Sequence, residues 1–153
     1  MRREASERGW GWLIYAGLLL ALMVMSGCGP KTAGGGIPAG VESTINTVSD
    51  DIADERYDNV YNESSELWKR DVTREQSAEV LKTLHSKLGK VESRAVHSAT
   101  EQQNSGGQLK GHAFIITYQT KFERAEAMET FTLIEENGHW MLARYLVNST
   151  ALQ

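Results

Sequence analysis

The sequence predicts an α+β domain in which N-terminal helices pack on a four-stranded antiparallel, curved sheet. Three observations predict it. Apolar residues recur at helical spacing up to Leu88 and then switch to alternation. Gly89 sits where the period changes. Asn137-Gly138, a strong hairpin signal, joins the last two alternating runs. Helices in one block and strands in the next make an α+β architecture.

Val41, Ile45, Val48 and Ile52 mark one face of a first helix, with Asp50, Asp51, Asp54 and Glu55 on the other side. Tyr57, Val60, Tyr61, Leu67 and Trp68 form a second helical stretch, or a kinked continuation of the first. A third helix runs from about Arg74 to Leu88. Thr73 and Gln76 supply its capping box, Val80, Leu81, Leu84 and Leu88 its apolar stripe, and Gly89 its stop. Residues 91–101 alternate weakly, and Asn104 to Gly107 read as a turn. From His112 to Phe122, Phe114, Ile116, Tyr118 and Phe122 share one face, and Thr117, Gln119 and Lys121 the other. Residues 127–135 and Trp140 to Val147 complete the meander.

The 153 residues suit a single domain. Residues 9–30 carry no charge, and Leu13 to Met25 form an apolar run flanked by Arg2, Arg3 and Arg8. A run of about 13 residues fits the core of an export signal and falls short of the ~20 that span a bilayer. Counted from residue 9 to residue 27, the stretch could also serve as an uncleaved anchor, with Trp10, Trp12 and Tyr15 at an interface. Small residues Ser26 and Gly27 precede Cys28, the one cysteine, which therefore has no partner for a disulfide within the chain.

Val24-Met25-Ser26-Gly27-Cys28 resembles the lipobox of bacterial lipoproteins, with Met25 where Leu is usual. The resemblance implies a signal peptide over 1–27, cleavage before Cys28, and acyl chains, palmitate among them, on that thiol. Two or more chains give stable anchoring where one gives only reversible binding. Gly29 stands where an Asp marks inner-membrane retention in this class, so the resemblance implies an outer-membrane protein facing the periplasm. Residues 28–40 hold both prolines, Pro30 and Pro38, and read as a flexible linker. At ~3.3 Å per residue it reaches about 40 Å. The soluble domain then covers 41–153.

The block order is similar to the cystatin-like and nuclear transport factor 2-like folds. Several phrases resemble a family of small exported bacterial domains of unknown function. They are Tyr57 to Tyr61, Val72 to Gln76, Leu88 to Arg94, Tyr118 to Phe122, and Glu129 to Tyr145. Tyr61 stands where that family usually has Trp, and Ala143-Arg144 where it has Gly. The resemblance supports the fold and implies no activity.

Function is bounded mostly by exclusion. The formal net charge is −4, and removing residues 1–27 leaves the rest more acidic, so no basic stripe is available for nucleic acid. His85, His97, His112 and His139 show no metal-ligand spacing, and no nucleophile elbow or phosphate loop occurs. No cofactor, metal site or catalytic set is therefore expected. His97 and His112 lie on neighbouring predicted strands and could meet. Glu135 and Glu136 point to opposite faces of a strand and do not suggest paired-carboxylate chemistry. Tyr57, Tyr61, Arg94, Tyr118, Trp140 and Arg144 could line a cleft between helices and sheet. The alternative is a filled core. The expectation is a non-enzymatic envelope lipoprotein, held at a membrane through Cys28, whose domain binds an envelope protein or serves an accessory role. The competing expectation is a small-molecule-binding or enzymatic domain with its site in that cleft.

Overall fold

Residues 36–153 are described by a computed structural model. The apolar run, the lipobox and Cys28, and the linker up to residue 35, lie outside the described residues. The first helical stripe forms α1, Ala39–Ala53, which starts two residues before the predicted domain boundary, directly after Pro38. Val41, Ile45 and Val48 are buried as the spacing requires. Asp51 departs from its predicted solvent-facing place. It is buried, and Arg56 folds back to reach it, with Nε 2.8 Å from Oδ1.

The second helical stretch divides into α2, Tyr57–Glu63, and α3, Glu66–Asp71. Ser64 and Ser65 cause the break. The Ser64 hydroxyl donates to the Val60 carbonyl at 2.6 Å, the Ser65 amide donates to the Leu142 carbonyl of the sheet, and the Ser65 side chain caps α3. Serine hydroxyls compete in this way with the helical ladder. Trp68 follows, buried, its indole N–H donating to Ser77 Oγ at 3.2 Å.

Helix α4 spans Arg74–Leu88, and both halves of its capping box are made by Thr73 and Gln76. Replacing Thr73 with alanine should cost about 1 kcal/mol, read as a lower urea midpoint with an unchanged slope. Gly89 ends the helix at φ +80°, a conformation that disfavours other residues. Leu81 and Leu88 are buried, and Leu84 partly so. Val80 is 54% exposed, because it falls on the flank of the stripe, away from the sheet.

Four strands follow: β1 Val91–Asn104, β2 Gly111–Phe122, β3 Glu126–Glu136 and β4 His139–Asn148, with a short 3-10 turn at Thr150–Leu152. They form one antiparallel sheet in chain order. Strand β1 extends through Asn104, so the turn begins later than predicted. Asn137 and Gly138 both have positive φ, 53° and 79°, as a tight right-twisting hairpin demands. On the helix-facing side Phe114, Ile116, Tyr118, Phe131, Leu133 and Leu142 meet Val41, Ile45, Val48, Val60 and Leu81 in the main core. Ala113 and Ile134 alternate onto the opposite face, where Leu67 and Leu109 cover them. Register shifts interrupt β1 at Val91–Ser93 and Val96–Ser98, and β4 opposite Thr132–Leu133. These irregularities decide which side chains reach the interior.

Candidate functional site

The interior of the sheet holds one fully buried carboxylate, Glu129 on β3. It occupies the phase of Phe131 and Leu133, so alternation drives it inward. Arg94 of β1 grips it with two hydrogen bonds, Nε to Oε2 at 2.7 Å and Nη2 to Oε1 at 3.0 Å. The Tyr145 hydroxyl of β4 donates to Oε1 at 2.6 Å, and the Thr120 hydroxyl of β2 donates to Oε2 at 2.5 Å. Four donors thus fill the four acceptor directions of one carboxylate. Arg94 also donates from Nη1 to Ser49 Oγ of α1 at 2.7 Å, tying the helix to the sheet. The guanidinium lies over Phe131 and Tyr118, 5.3 and 5.7 Å from their centroids. Burial, then the Glu129 charge, raises the Tyr145 hydroxyl well above the usual tyrosine range, so it stays protonated and donates. Burial also raises Tyr118, with Arg94 opposing the shift.

The space beside this network is small. A cavity of about 20 Å³ touches Ser49, His85, Arg94, Glu129 and Tyr145. That is room for about one water. The larger hollow of about 420 Å³ lies elsewhere, between α4 and the C-terminal turn, at Gln76, Val80, Leu84 and Leu152.

A second polar cluster lies near the start of α1. His112 of β2 sits between two carboxylates, Nδ1 2.7 Å from Glu135 Oε2 and Nε2 2.6 Å from Glu101 Oε1. Its ring lies 4.7 Å from Trp140, which in turn covers Gly40. A Cβ at Gly40 would come within 2.9 Å of that indole, so the close approach requires glycine. Only the imidazolium can donate to both carboxylates. The hydrogen bond to Glu135 raises the pKa most, burial opposes it, and the bond to Glu101 adds to it. A pKa above the unfolded value of about 6.5 means that the stabilisation is complete below that pH and is lost as pH rises through the folded value. Melting temperature measured from about pH 6 to pH 9 should fall more steeply for the wild type than for His112→Gln.

The six predicted cleft residues divide. Arg94 and Tyr118 belong to the Glu129 network. Tyr57 is partly buried, its hydroxyl 3.2 Å from His85 Nδ1. Tyr61 packs on the core beneath Arg74, whose guanidinium is 4.9 Å from the ring centroid. Trp140 joins the His112 cluster. Arg144 does not reach the interior. Trp140 and Leu142 point inward, and strict alternation would send Arg144 after them. The irregularity opposite Thr132–Leu133 inserts one residue and turns Tyr145 inward instead. His97 and His112 do not meet: His97 falls in the β1 irregularity, and His112 pairs with Gln103. Glu135 and Glu136 do diverge, but Glu135 is joined by Glu101 from β1 across His112.

Sequence reasoning missed Glu129, Thr120, Ser49 and Glu101. Glu129 had a signal, a carboxylate in phase with Phe131 and Leu133. Among the described residues no group of three or more histidine, cysteine or carboxylate side chains is arranged to hold a metal ion, and no helix is long and apolar enough to cross a membrane.

No curated protein matches the sequence. Among solved structures, the chain is similar to a protein from Novosphingobium aromaticivorans DSM 12444 provisionally named a scytalone dehydratase. The identity is 9% and the TM-score 0.43, over 72% of this chain and 82% of that one. Residues 46–145 match the family model described as protein of unknown function, DUF4019, and since that match spans well over half of the sequence, the chain belongs to this family.

Proposed function

We propose that this protein is a lipid-anchored component of the bacterial envelope whose domain works by binding another protein rather than by catalysis. One observation carries the second half of the reading. The interior polar groups are spent on one another. Glu129 has no acceptor position left, Tyr145 and Thr120 donate to it, and the adjoining cavity has room for about one water. A ligand cleft of ordinary size is some hundreds of cubic ångströms and presents unsatisfied polar groups to its occupant. The surface, not the interior, is then where this domain acts.

The anchor rests on the sequence. A positive flank, an apolar run, two small residues and Cys28 occur in the order that lipoprotein processing requires. The glycine-rich segment before α1 then acts as a tether that lets the domain clear the headgroups.

The test is Cys28→Ser in the native envelope. The wild type should partition into the detergent phase and carry the mass of attached acyl chains at Cys28. The variant should lose the acyl mass. It should either remain as an unprocessed precursor or leave the membrane fraction. A variant that matures and partitions as the wild type does would refute the anchor. Turnover of a small molecule lost on Glu129→Gln, with the fold retained, would refute the binding-module reading independently.

A further inference from the structure

Helix α1 starts without the local support that α3 and α4 have. Its N-cap is Pro38, which offers no side-chain hydrogen bond, whereas Ser65 caps α3 and Thr73 with Gln76 caps α4. Gly40 in its first turn is a poor helix former. What holds this turn is β4. The Trp140 indole packs against Gly40, and the Trp140 carbonyl accepts from the Thr44 hydroxyl at 2.9 Å. Ile37 adds a partly buried contact with the main core.

Trp140 is in turn held by the His112 cluster. It is the cross-strand partner of Glu135, and its ring centroid lies 4.7 Å from that of His112. The imidazole has a carboxylate at each nitrogen, Glu101 from β1 and Glu135 from β3. A protonated ring donates to both and presents its charge to the indole. A neutral ring keeps one proton. Its other nitrogen then turns a lone pair toward a carboxylate oxygen less than 3 Å away, and that contact must open. Glu101 and Glu135 are 40% and 37% exposed, so either can take up water, and the change leaves no buried charge behind. Among the described residues these two carboxylates are the charged groups that act on the ring. Glu42, the acidic residue in the first turn of α1, acts on Tyr118 instead. From β4 comes the uncharged indole, and its neighbour His139 stands opposite Glu136 at the hairpin.

We infer that protonation of His112 latches the start of α1 to the sheet and that its deprotonation releases residues 37–40. With the ring charged, Glu101 and Glu135 are fixed on either side of it, Trp140 keeps its place, and the first turn closes. With the ring neutral, one carboxylate swings out, Trp140 loses the charge beside it, and an uncapped turn frays. Val41 is fully buried, so the unwinding stops there. The two carboxylates hold the ring above its ordinary value, so release comes as pH rises past about 6.5. The latch itself does not depend on the lipid anchor, but its use rests on that reading. Residues 37–40 are the last of the expected linker, so acid shortens the tether and alkali lengthens it.

Carbon-detected NMR of the full chain in mild detergent micelles, from pH 6 to pH 9, tests this. Backbone order parameters of residues 37–40 should fall from about 0.85 to below about 0.6 as pH rises, with the midpoint at which the His112 ring titrates. His112→Gln should abolish the pH dependence while circular dichroism stays unchanged, since the side chain is 30% exposed. Glu101→Gln with Glu135→Gln should keep the transition and move its midpoint at least about one pH unit lower. Wild-type values for residues 37–40 that stay constant over the range overturn the proposal. So does a transition that persists in His112→Gln, which would assign it to another group, and so does a midpoint unmoved in the double variant. Absence of acyl chains on Cys28 would remove the anchor and leave these readings as they are.

Discussion

Replacing Arg94 with methionine should lower the unfolding free energy by about 3–5 kcal/mol. The substitution keeps most of the side-chain volume over Phe131 and Tyr118 and removes only the charge and its donors. Glu129 would then be left with no accessible surface, two hydroxyl donors and no counter-ion. An uncompensated buried charge is among the largest single destabilisations a point change can produce. Ser49 would lose its partner on β1 as well, loosening α1 from the sheet. Replacing both partners, Arg94→Met with Glu129→Leu, should recover most of the loss, because the stranded charge is gone. Recovery should stay incomplete, since the Tyr145 and Thr120 hydroxyls lose their acceptor at roughly 1–3 kcal/mol for each left unsatisfied. Urea unfolding followed by circular dichroism separates the cases. A single-variant loss under about 1 kcal/mol would show that the pair does not organise the interior. A double variant that keeps its fold and its partner would place function outside this network.

The same residues show what the sequence could and could not reveal. Alternation in β2 and β3 is unbroken, so the inward set from Phe114 to Phe122 and from Glu129 to Leu133 can be read by parity. The same parity would have placed Glu129 inside, next to Phe131, but the reading of the sequence did not apply it to a carboxylate. What parity cannot supply is the partner. Arg94 reaches Glu129 from β1, two strands away in the sheet, and β1 changes register twice. The error at Arg144 has the same origin in β4, where one extra residue exchanges the inward places of Arg144 and Tyr145. Short-range signals held wherever a local bond decides the geometry. Thr73 with Gln76, Gly89, and Asn137 with Gly138 all act within a few residues of themselves. The His112 cluster failed that condition, because Glu101 and Glu135 approach from two different strands. The division between α2 and α3 also needed tertiary structure, since the Ser65 amide is satisfied by Leu142 on β4.

Phe131→Ala should cost about 3–5 kcal/mol and should also test why the cleft is closed. Among the described residues, Phe131 is the largest side chain with no exposed surface. Tyr118 meets it edge-on at 6.1 Å, Tyr145 lies 4.7 Å away, and Arg94 rests over its face. Its ring therefore fills the space between helices and sheet and supports three members of the polar network. Truncation removes the transfer energy of the ring and leaves a cavity that the surrounding strands can only partly close. That cavity would open beside the one-water space at Arg94 and Tyr145. Its other walls are apolar side chains of the main core, and a void of this size admits small aromatic molecules. Thermal melts of Phe131→Ala with and without benzene should show stabilisation by the ligand, scaling with its concentration. The wild type should show none, because its core is already full. If the wild type were stabilised by small aromatics as strongly as the variant, the interior would be a working pocket, and catalysis or small-molecule binding in the cleft would replace surface recognition as the better account of this domain.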